Sequence, residues 1–231
     1  MLQTQTVVPD LMELLRELMK VEQFSNFYLV DGTSWSLQIG HRNSIDIDLF
    51  GKQEIDFDVF IGILNEYGKT EITQSSKNIL ITDINGLKVD FVNYRYPLIA
   101  EPLEIDGIRM FSKKDSAAMK LNAITGRGSK KDFIDLYFLL KDFSMKEILD
   151  FYVQKYADGS EFMVVKSLTY FAEADAQPQP KMFQDFDWEI CKQKIIEEVL
   201  KLQFTKKHSR KTYFFGVYFL LCLRPKKTNL W

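Results

Sequence analysis

Between Ser44 and Phe50 the chain reads Ser-Ile-Asp-Ile-Asp-Leu-Phe, and this stretch constrains the fold more than any other. Ile45, Ile47 and Leu49 alternate with Ser44, Asp46 and Asp48, the period of two that marks a strand with one buried face. Both carboxylates then project from the same side, with backbones roughly 6–7 Å apart. Such a pair is either the solvated face of an edge strand or part of a site for one or two Mg²⁺ ions. The residues around it have to discriminate.

Upstream, Phe27-Tyr28-Leu29-Val30 reads as a short buried strand that ends at a small-residue turn, Asp31-Gly32-Thr33. Ser34 to Ile39 then winds into a helix that stops near Gly40-His41. Asp10 before Leu11, Leu14, Leu15 and Leu18, with Glu13 three residues on, predicts a capped amphipathic first helix. Asp56 to Tyr67 reads as a helix, and Asn78–Thr82 with Leu87–Asn93 as a hairpin around Asn85-Gly86. The second strand of that hairpin carries Asp90. After a further hairpin turn at Asp106-Gly107 the pattern becomes helical, with start signals at Ser112/Asp115, Ser129/Asp132 and Ser144/Glu147. A final helix is expected from about Asp187 to Leu202. The fold class is therefore α+β: a mixed α/β part over 1–111, a helical part over 112–202, and a tail over 203–231.

Composition excludes some classes. With 46% hydrophobic and 27% charged residues the chain is a folded protein, and a formal charge of −2 lacks the basic excess of a dedicated nucleic-acid binder. The apolar run Tyr213–Leu223 is about half the roughly 20 residues a membrane span needs, so no membrane association is expected. The first residues show no charged-then-apolar leader, and Cys191 and Cys222 form no disulfide framework; a cytoplasmic protein with reduced thiols is expected.

Asp46 and Asp48 with Asp90 on a neighbouring strand would supply the three carboxylates that in-line phosphoryl transfer commonly uses to hold its metal ions. Backbone N–H groups and a hydroxyl at Gly32-Thr33, between strand and helix, can cradle nucleotide phosphates. Neither motif is specific alone; their order along the chain is.

That order, with the segments Phe27–Thr33, His41–Phe50, Lys88–Val92, Asp115–Ile124 and Arg127–Leu136, resembles the AbiEii/AbiGii toxin-type nucleotidyltransferases of the DNA polymerase beta superfamily. The resemblance runs to about Leu200. It implies a polymerase-beta-type nucleotidyltransferase core followed by a helical half. It also implies transfer of a nucleoside monophosphate from an NTP with Mg²⁺ (or Mn²⁺), in toxin–antitoxin or phage-defence systems. The acceptor hydroxyl implied is that of RNA, the 3′ end of a tRNA in particular; a small molecule, a protein, or a degenerate non-catalytic binder of nucleotide or antitoxin are the alternatives. A cognate antitoxin is the expected protein partner.

Carried over position by position, the resemblance makes Asp46, Asp48 and Asp90 the metal site, with Asp90 helping to activate the attacking hydroxyl, and Lys120 a residue that neutralises triphosphate charge. Gly32, Thr33, Arg42 and Ser44 would line the nucleotide. Arg42 reads equally as a surface arginine paired with an acid. Asp132 is either an acidic site residue or the second half of a capping box with Ser129. Asp135 and His41 read as structural. The turn departs from the family's usual Gly-Gly-Thr or Gly-Gly-Ser, because Asp31 adds a Cβ and a negative charge. If it faces a triphosphate, affinity suffers; if it faces away or ligates an extra metal, activity survives. The tail, with Lys206-Lys207-His208-Ser209-Arg210-Lys211 and Arg224-Pro225-Lys226-Lys227, is basic and aromatic. It reads as an RNA grip, a dimer contact, or an extension without a selected function.

Overall fold

The acid-bearing strand becomes the centre of a seven-stranded mixed sheet. The computed structural model describes residues 1–206, with side chains to Leu202. Its strands are β1 (Phe27–Leu29), β2 (Asp46–Gly51), β3 (Thr70–Ser76), β4 (Ile79–Ile84), β5 (Leu87–Asn93), β6 (Leu103–Ile105) and β7 (Ile108–Met110). They lie in the order β3-β4-β5-β2-β1-β7-β6. β2 is parallel to β5 and β1 to β7, while the remaining neighbours are antiparallel. Ile47 and Leu49 are buried on one face of β2, and Asp46 and Asp48 are half-buried on the other. The α+β class predicted from the sequence is the one observed.

The helices are α1 (Pro9–Lys20), α2 (Asp31–Ile39), α3 (Phe57–Leu64), α4 (Lys113–Gly126), α5 (Lys130–Leu139), α6 (Met145–Lys155), α7 (Glu161–Ser167), α8 (Ala172–Asp175) and α9 (Trp188–Lys206). Leu11, Leu15 and Leu18 of α1 pack on the sheet with the rings of Phe24, Phe27, Phe60 and Phe91, whose closest centroids are 4.7 Å apart. Each such side chain contributes about 1.5–3 kcal/mol when fully buried. A second core joins α4, α5, α6 and α9 through Leu121, Phe133, Leu136, Ile148 and Ile195. Trp35 of α2 belongs to this second cluster, so the helix that follows β1 is anchored in the helical part of the molecule.

Local starts differ from the sequence expectations in two places. Asp10 does not cap α1: the helix begins at Pro9 after an extended Val8, because proline has φ preset for the first helical position and lacks the N–H that a cap would satisfy. Asp31-Gly32-Thr33 is not a turn before a helix but the first turn of α2, which Val30 precedes in extended conformation. The chain passes from strand to helix by placing Asp31 itself at φ +52°. β3 went unpredicted, since Thr-Glu-Ile-Thr-Gln-Ser-Ser at the sheet edge has no buried face to impose alternation. The hairpin turns at Asn85-Gly86 and Asp106-Gly107 form as predicted, with positive φ at both residues of each pair.

The chain after α8 returns to the sheet side. Met182 forms an isolated antiparallel bridge with Arg42, Asn43 N donates to Lys181 O, and Phe183 N donates to His41 O. The segment His41–Ser44 is thereby clamped just before β2. Among the described residues no helix is long and apolar enough to cross a membrane. The tail and the apolar run Tyr213–Leu223 lie outside the described residues, apart from the backbone of 203–206 in α9.

Candidate active site

Register puts the three strand carboxylates together. Asp48 stands directly opposite Asp90 in the parallel β2/β5 pair, and Asp46 lies two residues before Asp48 on the same face. They line a cleft of about 370 Å³ whose other walls come from Asp31 and Gly32 of α2, Arg42 and Ser44 before β2, and Lys88 of β5. Arg127, Ser129, Lys131 and Asp132 close it from the α4–α5 corner, with Gln177 beyond.

Two acidic groups share this cleft, and their electrostatics are opposite. Asp31, Asp132 and Asp135 have carboxylate oxygens within 4.8 Å of one another, a spacing that could hold a cation. Their charge is already met by the protein. Arg42 forks onto Asp135 through Nε at 2.6 Å and Nη2 at 2.7 Å, and Lys120 reaches Asp135 at 2.8 Å and Asp132 at 3.1 Å and also pairs with Asp31. Arg127 donates to Asp132 at 2.8 and 3.0 Å and to Asp31 at 2.9 Å. Three acids face three bases, and despite burial Lys120 and the arginines hold Asp132 and Asp135 well below the usual carboxylate range. His41 donates from Nε2 to Asp135 at 2.8 Å, and burial keeps the ring below its ordinary pKa despite the carboxylate. This is an ion-pair network, with no charge left for a metal to neutralise.

Asp46, Asp48 and Asp90 are the reverse case. Among the described residues their one ion-paired cation is Lys88, which donates to Asp90 Oδ2 at 2.6 Å. Asp90 Oδ1 is buried with no hydrogen-bond partner. Burial first, and then the charges of Asp31, Asp90 and Asp46, push the Asp48 carboxyl up to about 8. Burial likewise raises Asp90, against the pull of Lys88. Three carboxyls face one ammonium, one of them holding its proton below about pH 8 for want of a cation, and one carboxylate oxygen is orphaned; such a donor set fits one divalent cation.

The remaining sequence candidates are placed as follows. Thr33 is fully buried; its hydroxyl donates to Asp46 O at 2.5 Å and shares a hydrogen bond of 2.8 Å with Ser44 Oγ. It ties the first turn of α2 to the start of β2 and so sets the height of Asp46. Gly32 is a glycine because Arg42 packs against it: a Cβ there would lie 2.5 Å from Arg42 Nη2 and 3.2 Å from Ser44 Oγ. Arg42 is accordingly not a surface arginine but 2% exposed. Lys120, 4% exposed, lies behind the cleft wall rather than on it. Asp132 closes the capping box with Ser129, and it also lines the cleft while pairing with Lys120 and Arg127. Lys88 and Gln177 were missed. Lys88 was findable, because it precedes Asp90 by two on a strand and shares its face; Gln177 arrives from a loop with no local signal.

The sequence from residue 13 to 210 matches a family of known proteins described as the nucleotidyl transferase AbiEii toxin of type IV toxin–antitoxin systems. The chain belongs to the AbiEii nucleotidyltransferase toxin family. An uncharacterised relative of this AbiEii chain, aq_aa25 of Aquifex aeolicus (strain VF5), is 35% identical over 185 residues, 77% of this chain and 88% of that protein. The fold is shared with MenT4, the nucleotidyltransferase toxin Rv2826c of Mycobacterium tuberculosis H37Rv, at TM-score 0.58 and 16% identity over 86% of this chain and 85% of the other. It is shared too with an H. pylori protein described as a candidate nucleotidyltransferase, at TM-score 0.52 and 14% identity over 88% and 96%.

Proposed function

We propose that this AbiEii-family chain transfers a nucleoside monophosphate from an NTP to an acceptor hydroxyl with a divalent cation held by Asp46, Asp48 and Asp90. The observation that carries this is a cluster of three carboxyls with one ion-paired cation among the described residues and an unpartnered Asp90 Oδ1 at the cleft. Mg²⁺ or Mn²⁺ bound there supplies Lewis-acid polarisation of the α-phosphate and favours the ionised acceptor oxygen. The chain's own part is positional. Lys88 fixes Oδ2 of Asp90 and leaves Oδ1 open to the cation, through which Asp90 would help to activate the acceptor hydroxyl, whose proton passes to solvent. As the acceptor oxygen bonds to the α-phosphorus, the α–β phosphoanhydride breaks and pyrophosphate leaves. Arg127 and Lys131 line the cleft and would meet the triphosphate, Lys120 lies behind its wall and is reached only past Asp31, and Asp31 and Gly32 at the start of α2 line the same cleft.

RNA is the acceptor this reading favours, the 3′ end of a tRNA in particular. Lys88 and Arg127, 46% and 59% exposed at the side chain, rim the cleft with Lys131, and a phosphate backbone would meet them there. Within a type IV toxin–antitoxin family the matching protein partner is an antitoxin. Incubation with each of the four α-labelled NTPs, Mg²⁺ and total tRNA is expected to label RNA. Absence of label in RNA, protein and small-molecule fractions alike would remove the catalytic reading, and label confined to protein or small molecules would change the acceptor.

The metal reading also fixes a pH dependence. The Asp48 carboxyl is raised to about 8 in the folded chain against 3.8 when unperturbed, so the metal-free fold holds a proton that the unfolded chain has lost. That contribution is fully present below about pH 4 and is lost as pH rises through about 8. Metal-free melting temperature is therefore expected to fall from pH 6 to pH 9, and Mg²⁺ to restore it more strongly at pH 9. Below pH 8 the cation displaces this proton, and its affinity should rise by up to about tenfold per pH unit. A Mg²⁺-induced shift in melting temperature that is the same at pH 6 and pH 9 would contradict it.

A further inference from the structure

Three residues other than glycine have a left-handed backbone among those described: Asn85, Asp106 and Asp31, at φ +51°, +52° and +52°. The first two open two-residue hairpin turns, where that conformation is required and a glycine follows. Asp31 opens a helix instead, and no hairpin explains it. What holds it is its carboxylate, which pairs with Lys120 and accepts from Arg127 Nη2 at 2.9 Å. Of the three acids on Lys120, Asp132 and Asp135 are 1% and 0% exposed at the side chain, whereas Asp31 is 26% exposed and lines the cleft beside Asp46 and Asp48.

The charge balance shows what this acid does. With Asp31 the network has three acids for Arg42, Lys120 and Arg127; without it one positive charge, shared by Lys120 and Arg127, is left facing the cleft. An anionic ligand reaching the metal-binding carboxylates from this side meets the Asp31 carboxylate on the cations it needs. We propose that Asp31 is a built-in anion that stands on Lys120 and Arg127 in the place of a substrate phosphoryl group, so that a triphosphate binds only by displacing it. The inference rests on the nucleotide reading of the cleft. It makes Asp31 a determinant of affinity, and a low resting affinity for NTP a property of the chain's own side chains.

Asp31→Asn removes the charge while keeping shape and tolerance of φ > 0; Asp31→Gly also removes the backbone strain. Calorimetric titration of the full chain with inorganic triphosphate, and separately with Mg-ATP, is expected to show both variants binding about tenfold or more tightly than the parent, since like charges across a binding site are strongly unfavourable. In an Arg127→Gln background the Asp31→Asn gain should shrink below about threefold, because the two residues act on one another. Equal or weaker binding by both variants overturns the proposal while leaving the nucleotide reading intact, and weaker binding of Mg-ATP alone would make Asp31 a metal ligand. A full gain in the Arg127→Gln background also overturns it, as the effect would then be diffuse charge. If neither the parent nor the variants bind either ligand, the nucleotide reading falls together with the proposal.

Discussion

Asp48→Asn is expected to fold, to resist heat at least as well as the parent in metal-free buffer at pH 8, and to lose nucleotidyl transfer by about a thousandfold or more. The first two outcomes follow from the local charge. Asp48 faces Asp31, Asp90 and Asp46 with no cation bonded to it among the described residues, so an isosteric neutral amide relieves repulsion that the folded chain otherwise bears. The third follows from what the pair with Asp90 holds: a metal at a transferring phosphoryl group supplies several kcal/mol of charge stabilisation, and every 1.36 kcal/mol is tenfold in rate. Differential scanning fluorimetry with and without Mg²⁺, alongside the labelled-NTP assay, separates the two effects. The parent should gain thermal stability from Mg²⁺ and the variant little. Activity within tenfold of the parent would take Asp48 out of the metal site, whatever the melting curves show.

The acids that would hold the metal were legible in the sequence for a physical reason. A strand's period is two, so Asp46 and Asp48 had to share a face, and the parallel pairing that brings Asp90 opposite Asp48 needs only that the hairpin strand Leu87–Asn93 lie beside β2. The network behind them was not legible in the same way. Arg42 and Asp135 are 93 residues apart, and nothing in the local pattern of either says that one forks onto the other. Gly32 illustrates the gap. Read locally it is a phosphate-turn glycine; in the fold it is the residue whose missing Cβ lets Arg42 through to Asp135. Thr33 likewise reads as a hydroxyl for phosphates, but in the fold it bonds the backbone of Asp46. Sequence periodicity reports which way a side chain points from its own element, and it is silent on which distant element comes to meet it.

That distant pairing sets the second large expectation. Asp135→Ala should lower the free energy of unfolding by about 3–5 kcal/mol, the range for removing one partner of a fully buried ion pair. Asp135 is completely buried on α5, and it accepts from Arg42, His41 and Lys120 at 2.6 to 2.8 Å. Its removal would strand the buried Arg42, take one of three carboxylates from Lys120, and leave without a partner the one hydrogen-bonded nitrogen of a histidine whose Nδ1 already lacks one. The loss should be seen as a fall in the urea midpoint with little change in slope, since no new surface is exposed in the folded state. The consequence for the cleft is as direct. Arg42 lies against Gly32 and next to the Asn43–Lys181 and His41–Phe183 backbone bonds, so an Arg42 released from Asp135 would free the segment that leads into β2 and carries Ser44. Asp135→Asn, which keeps one acceptor oxygen for the guanidinium, should recover part of the stability but not the balance of charge. Its urea midpoint is expected between those of Asp135→Ala and the parent. A midpoint for Asp135→Ala within about 1 kcal/mol of the parent would mean that water reaches Arg42 and Lys120, and that the back wall of the cleft is open rather than sealed.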